Sequence, residues 1–167
     1  RKLLDFVEKI TYACATKVYP NSFGLYDIIL ENKYTTKDKL KVIGKGSSNG
    51  IDTSHFDPKL FSEEQKQELK NSLGIQPDDF VYVFVGRLVK DKGINELINA
   101  FSQIRKFANS QICKLVLVGI FERELDPLLP ETLKEIETNP NIISVGFQKD
   151  VRPYFAISDC LVFPSYR

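Results

Sequence analysis

The sequence predicts the α/β class, with a doubly wound parallel sheet that carries helices on both faces. The first observation is a series of short, almost wholly apolar runs, which are typical of strands covered on both sides. The second is that helix-like segments alternate with these runs from about residue 40 onward, a pattern that favours crossover helices between parallel strands. The 167 residues are enough for one such Rossmann-like domain.

The first fifty residues are interpreted as two helices and two strands. "RKLLDFVEKI" spaces its apolar residues along one helix face, and "FGLYDIILEN" forms a second helix that Ser22 can cap. "ACATKVYPNS" indicates a short strand that ends at its proline, and "LKVIG" indicates another strand.

The segment from residue 62 to residue 104 carries the clearest local signals. Ser62 and Gln65 form a capping box for a helix that Gly74 stops. "FVYVFVG" is a continuous apolar run, as expected of a buried strand. The next helix has Asp91 as a plausible N-cap and places its apolar residues on one stripe, namely Ile94, Leu97, Ile98, Phe101 and Ile104.

The last third of the chain adds a broken helix, a short helix and three strands. "ERELDPLLPETLKEIETN" has a helical composition that Pro127 and Pro130 interrupt. Asp150 can cap a short helix through "VRPYFAIS", which tolerates its proline in the first turn. The predicted strands are "CKLVLVG", "NIISVG" and "DCLVFPS".

Composition excludes several classes of function. The net charge of +1 lacks the basic excess of a nucleic-acid binder. No apolar run approaches the roughly 20 residues of a membrane span, although the lysines spread along the chain leave peripheral membrane contact open. Cys14, Cys113 and Cys160 are predicted to be reduced core residues of a cytoplasmic protein. His55 is the only histidine and is interpreted as a loop residue, so no metal site is predicted.

The ends of the sequence suggest a part of a longer protein. There is no methionine, the chain opens inside a helix-like run, and it closes just after a strand. We therefore expect residues 1–167 to be one domain of a larger two-domain protein, with residues 1–20 as the tail of the preceding domain or a linker.

Function must come from the loops that follow the strands, because ligands of an open parallel sheet bind beyond the carboxyl ends of its strands. Four loops leave such ends: "GKGSSNG", "GRLVKDKG", "GFQKD" and "PSYR". The first matches neither the GxGxxG pattern nor a Walker A loop, and we interpret it as a flexible lining of the cleft.

"GRLVKDKG" is the most informative of these loops. Gly86 allows a sharp turn out of the sheet, and Arg87 then offers a guanidinium that can grip a phosphate with two hydrogen bonds. Lys92 stands at the start of the next helix, whose free N–H groups favour an anion. The three elements together suit a diphosphate; the alternative is that both cations are solvated surface residues.

Magnitudes show that these groups cannot form a complete site alone. A charge-assisted hydrogen bond contributes about 1.5–3 kcal/mol, and a helix N-terminus about 0.3–2 kcal/mol. Micromolar affinity requires about 8 kcal/mol. Further contacts are expected from "SVGFQKD", where Phe147 can lie near a flat base and the backbone of Phe147 and Gln148 can hydrogen-bond it; the alternative is that Phe147 is an edge residue of the core.

Taken together, these motifs resemble a known family. "VFVGRLVKDKGINELINAF", "KLVLVG" and "NIISVGFQKDVRPYFAISDCLVFPSYR" are similar to the nucleotide-sugar-binding domain of retaining glycosyltransferases of family 4, which is one half of the GT-B fold. The likeness runs from about Lys41 to Arg167. Tyr166 and Arg167 at its end resemble the start of a segment, "YREGFP", that is typical of members building bacterial capsular, O-antigen or undecaprenyl-linked glycans.

The resemblance implies an enzyme that moves a sugar from a nucleotide-diphosphate sugar, with a UDP-sugar expected, to a glycan or lipid-linked acceptor. It implies that Arg87 and Lys92 hold the diphosphate and stabilise it as it leaves, so that no metal or other cofactor is required. It also implies that Pro164 and Ser165 belong to the donor site. The acceptor would be bound by an N-terminal half that this chain lacks, and the whole protein is expected in the cytoplasm.

The chain also departs from that family's pattern. The first glutamate of the family's Glu-x7-Glu pair would follow Arg167, so the chain contains neither glutamate. We therefore expect no catalytic residue within the chain and no transferase activity from it alone. A non-catalytic nucleotide-binding α/β module stays open as the alternative, whereas a receiver-type signalling domain would want acidic residues after the first strand, where "NSFG" has none.

Overall fold

The computed structural model describes residues 2–47, 50–107, 112–122 and 124–166, with the side chains of residues 105–107 left aside. Its contacts divide the chain into two compact units, Arg1–Thr53 and Ser54–Arg167, each of which is described by itself. The expectation of one domain over residues 1–167 stays a prediction.

The first unit contains the two predicted helices, α1 (Lys2–Cys14) and α2 (Phe23–Glu31). Ser22 caps α2 as expected, because its Oγ accepts a hydrogen bond of 3.1 Å from the backbone N–H of Leu25. The apolar residues of α1 share a face but are exposed. Cys14 ends α1 and is exposed, so the prediction of a core position for this cysteine is wrong.

The two strands predicted in the first unit do not form. Val18 and Leu40 make only an isolated parallel bridge, in which the N–H of Val18 donates to the carbonyl of Lys39 at 2.8 Å. Pro20 has no N–H to continue the pairing on one side. On the other side, the single turn of 3-10 helix at Lys37–Lys39 directly precedes Leu40, so the chain is not extended there. These two features limit the pairing to one residue on each side.

The second unit is built on a four-stranded parallel sheet, which confirms the predicted fold class. The strands are β1 (Phe80–Val85), β2 (Cys113–Val118), β3 (Ile142–Gly146) and β4 (Cys160–Leu161), in the order β3-β2-β1-β4. Strand β4 is shorter than "DCLVFPS" predicts. The N–H of Val162 still donates to Val83 at 2.8 Å, but Pro164 offers no donor, so the pairing stops.

Two hydrophobic cores lie on opposite faces of this sheet because successive side chains of a strand point to opposite sides. On one face, α4 (Ile94–Phe107) and α5 (Pro130–Thr138) contribute to a core with large residues such as Phe84 and Leu117. On the other face, α3 (Glu63–Ser72) and α6 (Arg152–Ala156) flank smaller residues such as Val83 and Val116. The two cysteines of the sheet, Cys113 and Cys160, are buried and partly buried, respectively.

The starts of the helices follow only part of the local signals. The capping box is complete, with Gln65 N–H donating to Ser62 Oγ at 3.3 Å and Ser62 N–H donating to Gln65 Oε1 at 2.9 Å. The N-cap of α6 is Val151, which makes no side-chain cap, so the prediction of Asp150 as the cap is wrong; Asp150 Oδ1 instead accepts from the N–H of Arg152 at 3.0 Å from outside the helix. Asp91 is not the N-cap of α4, since it lies in a 3-10 turn (Lys90–Lys92) and Gly93 directly precedes the helix.

Candidate functional site

The loops after β1 and β2 are locked together and form the floor of the site. The N–H of Leu88 donates to the carbonyl of Ile120 at 2.7 Å, and Leu88 pairs with Phe121 in a further parallel bridge. Gly119 has φ 150°, and a Cβ at this position would lie 1.8 Å from the carbonyl oxygen of Gly86. Only glycine permits this approach, which fixes the two loops side by side.

An apolar cleft of about 270 Å³ opens at the carboxyl ends of β1, β2 and β3. Its lining includes four of the predicted site residues, Gly86, Arg87, Phe147 and Gln148, among valine and isoleucine side chains. The ring of Phe147 is 73% exposed, so the alternative of a core residue is wrong. Gln148 Nε2 donates to the carbonyl of Val145 at 2.8 Å, so its side chain holds the turn at the edge of the cleft.

Arg87 stands at the rim of this cleft, and its partner was not anticipated from the sequence. Arg87 Nη1 lies 3.2 Å from Glu122 Oε1 and 3.0 Å from Glu122 Oε2. The side chain of Arg87 is 56% exposed and that of Glu122 is 23% exposed. Glu122 reaches this position because its loop runs beside that of Arg87, and only the pairing of β1 with β2 reveals this neighbourhood.

Lys92 is half-buried in the 3-10 turn that precedes α4, beside the loop that follows β4. Its Nζ donates to Ser165 Oγ at 3.2 Å. Gly93 has φ 69°, and a Cβ there would lie 2.3 Å from the carbonyl oxygen of Pro164. The structure therefore brings together three of the predicted site residues, Lys92, Pro164 and Ser165, by a close backbone contact that only glycine allows.

Two further contacts hold the same turn in place. Asp126 Oδ2 accepts from the backbone N–H of Asp91 at 2.7 Å, and the N–H of Tyr166 donates to the carbonyl of Asp91 at 3.2 Å. A hydrogen bond to Glu96 raises the pKa of the Tyr166 phenol. Asp126 was not predicted from the sequence because it accepts a hydrogen bond from a residue 35 positions away, and no local sequence pattern indicates such a contact.

The seven predicted residues thus form two neighbouring groups along one edge of the sheet. Arg87 contacts the loop after β2, whereas Lys92 contacts the loop after β4. Strand β1 lies between β2 and β4, and the strand order reverses between β1 and β4. Such a reversal is where open α/β sheets bind ligands. The N-terminus of α4, a helix of 14 residues, begins at the same place and favours an anion there.

The larger depression in this unit does not coincide with these residues. It measures about 470 Å³ and lies between α4 and α5, where Asn95, Ser102 and Glu135 are among its lining residues. Glu135 Oε1 there accepts from Ser102 Oγ at 3.0 Å and from Asn139 Nδ2 at 2.7 Å. These hydrogen bonds show that the polar side chains of this depression join the packed helices to each other. The carboxyl edge of the sheet is therefore the candidate site.

The described residues contain no group of three or more histidine, cysteine, aspartate and glutamate side chains placed to hold a metal ion. No helix in the described part of the chain has the length and apolar character needed to span a membrane.

Comparison with known proteins decides the family. The family model described as "Glycosyl transferases group 1" matches residues 65–167, which include every predicted site residue. The chain belongs to the group 1 glycosyltransferases. The resemblance noted from the motifs is therefore confirmed at the level of the family.

Individual group 1 relatives agree with this assignment. The capsular polysaccharide biosynthesis glycosyltransferase CapM of Staphylococcus aureus is 33% identical over 168 residues, covering 99% of this chain and 41% of CapM. The alpha-monoglucosyldiacylglycerol synthase of Acholeplasma laidlawii is 32% identical over 114 residues, covering 66% of this chain and 27% of that protein. The chain therefore spans less than half the length of these relatives.

Solved structures confirm the fold as GT-B-like. HepE of Anabaena, determined in complex with UDP and glucose, superposes with a TM-score of 0.66 at 22% identity, over 89% of this chain and 38% of HepE. The glycosyltransferase from Rickettsia africae superposes with a TM-score of 0.70 at 20% identity, over 94% of this chain and 41% of that chain.

Proposed function

We propose that this chain is the donor-binding half of a retaining glycosyltransferase that uses a nucleotide-diphosphate sugar, with a UDP-sugar as the expected donor. The whole enzyme would transfer the sugar to a glycan or lipid-linked acceptor held by a further N-terminal domain, in the synthesis of a cell-surface polysaccharide. It would work in the cytoplasm or at the inner face of the membrane. The observation that carries the proposal is the apolar cleft at the carboxyl edge of the sheet, with Arg87 at its rim.

The base would occupy the apolar cleft. Its walls are mostly valine and isoleucine side chains, and Phe147 presents an exposed aromatic ring at the mouth. Binding of a flat base is favourable there because its apolar surface leaves water and because it packs against an aromatic ring. The backbone of Phe147 and Gln148 would supply the hydrogen bonds that orient the base, as the family resemblance implies.

The diphosphate would lie between Arg87 and Lys92, in front of the N-terminus of α4. Arg87 offers a planar fork of donors and Lys92 a compact positive charge. Ser165, which already contacts Lys92, would add a hydroxyl donor, and Pro164 would fix the loop through its contact with Gly93. Gly86 allows the chain to turn before Arg87 at the rim of the cleft.

The same groups would assist the transfer step. When the bond between the sugar and the diphosphate breaks, its electron pair stays on the phosphate oxygen, which becomes more negative. Fixed donors and cations placed at this oxygen lower the barrier, because they interact more strongly with the transition state than with the bound donor. Two cations and a helix N-terminus would then replace the charge that a metal ion could otherwise supply.

Titration calorimetry with UDP, GDP and ADP tests the proposal. We expect UDP to bind most tightly, in buffer with and without EDTA alike. Arg87→Ala and Lys92→Ala should each weaken UDP binding by about 10-fold to 150-fold, which corresponds to the loss of about 1.5–3 kcal/mol for a charge-assisted hydrogen bond.

Lys90→Ala is the matched control for Lys92→Ala. Lys90 lies in the same 3-10 turn and is exposed, so its removal changes the net charge equally without touching Ser165. UDP affinity that survives both Arg87→Ala and Lys92→Ala would contradict the assigned roles. An equal loss in Lys90→Ala would mean that only the overall charge of the turn matters.

A further inference from the structure

We propose that Glu122 sets the affinity of the site for diphosphates by holding Arg87 when no donor is bound. We further propose that it weakens binding of the nucleoside diphosphate product more than binding of the donor. The inference rests on the proposed function, because it assigns a new residue to the same site. Glu122 would thus make the site discriminate between the nucleotide-sugar donor and the nucleoside diphosphate product.

The contact itself is direct and involves the whole carboxylate. Both Glu122 oxygens lie within 3.2 Å of Arg87 Nη1, so the guanidinium is already paired with an anion. A carboxylate and a phosphate are the two groups that a guanidinium binds best, and they present similar oxygens to it. A diphosphate that engages Arg87 must therefore replace this carboxylate or accept it as a neighbour.

The two side chains of this ion pair differ in exposure. Glu122 directly follows Phe121, whose backbone pairs with Leu88 and whose ring packs against the core. Its side chain is 23% exposed, compared with 56% for Arg87. Glu122 is thus the more buried partner, whereas Arg87 carries its guanidinium at the end of a long, exposed side chain that can turn towards a phosphate.

The charge difference between donor and product gives Glu122 a selective effect. In the transfer, the sugar's anomeric carbon leaves the diphosphate oxygen and bonds to the acceptor oxygen, which loses its proton. The released diphosphate keeps the electron pair and carries one more negative charge than it did in the donor. A fixed carboxylate repels the more highly charged product more strongly. Glu122 therefore favours release of the product over loss of the donor.

The test compares Glu122→Gln with the unchanged chain by titration with UDP, UDP-glucose and pyrophosphate. Glutamine keeps the size and removes the charge. We expect UDP and pyrophosphate to bind about 2-fold to 5-fold more tightly to Glu122→Gln, and the affinity for UDP-glucose to rise by less than about 2-fold. Glu124→Gln, an exposed position in the same loop, is the control for net charge and should bind like the unchanged chain.

A second readout follows Arg87 directly. Phenylglyoxal modifies accessible guanidinium groups, and mass spectrometry of the Arg87 peptide gives the rate at this position. We expect faster modification in Glu122→Gln and protection by pyrophosphate in both forms. Glu122→Asp, which keeps the charge but shortens its reach, should modify at an intermediate rate.

The outcomes separate this inference from the proposed function. If UDP and UDP-glucose fail to bind to any form, the proposed function of this chain fails, and pyrophosphate and the Arg87 modification rate then decide the inference. The inference is overturned if pyrophosphate binds Glu122→Gln no more tightly, if the modification rate is unchanged, or if UDP and UDP-glucose gain equally. It is also overturned if Glu122→Gln weakens binding while the chain keeps its thermal stability.

Discussion

Single residues were predictable where the signal was local in the chain. Gly86 and Arg87 follow β1 directly and Lys92 lies just before the next helix, so sequence order alone placed them at the carboxyl edge of the sheet. Glu122 and Asp126 act on residues 35 positions away, and their contacts depend on the lateral pairing of two loops. Local patterns carry no information on such pairing, which explains why both acidic residues were missed.

Asp150 offers a prediction at the scale of one residue. Hydrogen bonds from the Arg152 side chain and backbone hold the pKa of Asp150 at about 2, below its ordinary value of 3.8. A carboxylate whose pKa is lower in the folded state than in the unfolded state stabilises the protein at pH values above the unfolded-state pKa. This stabilisation is lost as the pH falls through the folded-state pKa. We therefore expect Asp150→Asn to unfold at a lower urea concentration than the unchanged chain at pH 7.

The pH dependence distinguishes this effect from a general loss of packing. The difference between the two forms should shrink as the pH falls from about 3.8 through 2, because Asp150 takes up a proton over this range and then carries no charge, as asparagine does. Asp27→Asn, at an exposed position of α2, is the control and should follow the unchanged chain throughout. A difference that stays undiminished at pH 2 would show that the charge of Asp150 is not responsible.

At the scale of elements, prediction succeeded where patterning and capping agreed. Strands β1, β2 and β3 carry long apolar runs, and β1 and β2 pair along six residues each, so tertiary contacts reinforce the local preference. The two segments expected as strands before residue 50, "ACATKVYPNS" and "LKVIG", have shorter apolar runs and make only one bridge between them. A strand needs a partner along its length, and the sequence of one segment does not contain that partner.

The contact between the turns after β1 and β2 gives a prediction for these elements. Gly119→Ala would place a methyl group against the Gly86 carbonyl, so the two loops must separate. We expect the free energy of unfolding to fall by more than about 2 kcal/mol, measured by urea denaturation. UDP affinity should fall as well, because the floor of the cleft shifts.

Gly24→Ala is the matched control for this substitution. Gly24 lies in α2, and a methyl group there meets no atom within 4 Å. Alanine favours a helix over glycine by roughly 0.5–1 kcal/mol, so this variant should be as stable as the unchanged chain or slightly more stable. Equal stability of Gly119→Ala and Gly24→Ala would contradict the close approach of the two loops.

At the scale of the whole molecule, the alternation of strands and helices determined the fold class, and the order of several motifs determined the family. Both were accessible from the sequence because they depend on element order and not on atomic contacts. The arrangement within the site was not accessible to the same degree. The seven predicted residues divide into a group around Arg87 and a group around Lys92, with β1 between their partner loops.

A crystal structure of the chain with UDP would show whether Arg87 and Lys92 bind the same diphosphate. We expect one diphosphate whose oxygens lie within about 2.7–3.2 Å of donors from both Arg87 and Lys92, with the N-terminus of α4 facing it. Arg87 would by then have turned from Glu122 towards the phosphate. A diphosphate bound by only one of the two cations, or bound away from the carboxyl edge of the sheet, would contradict the account.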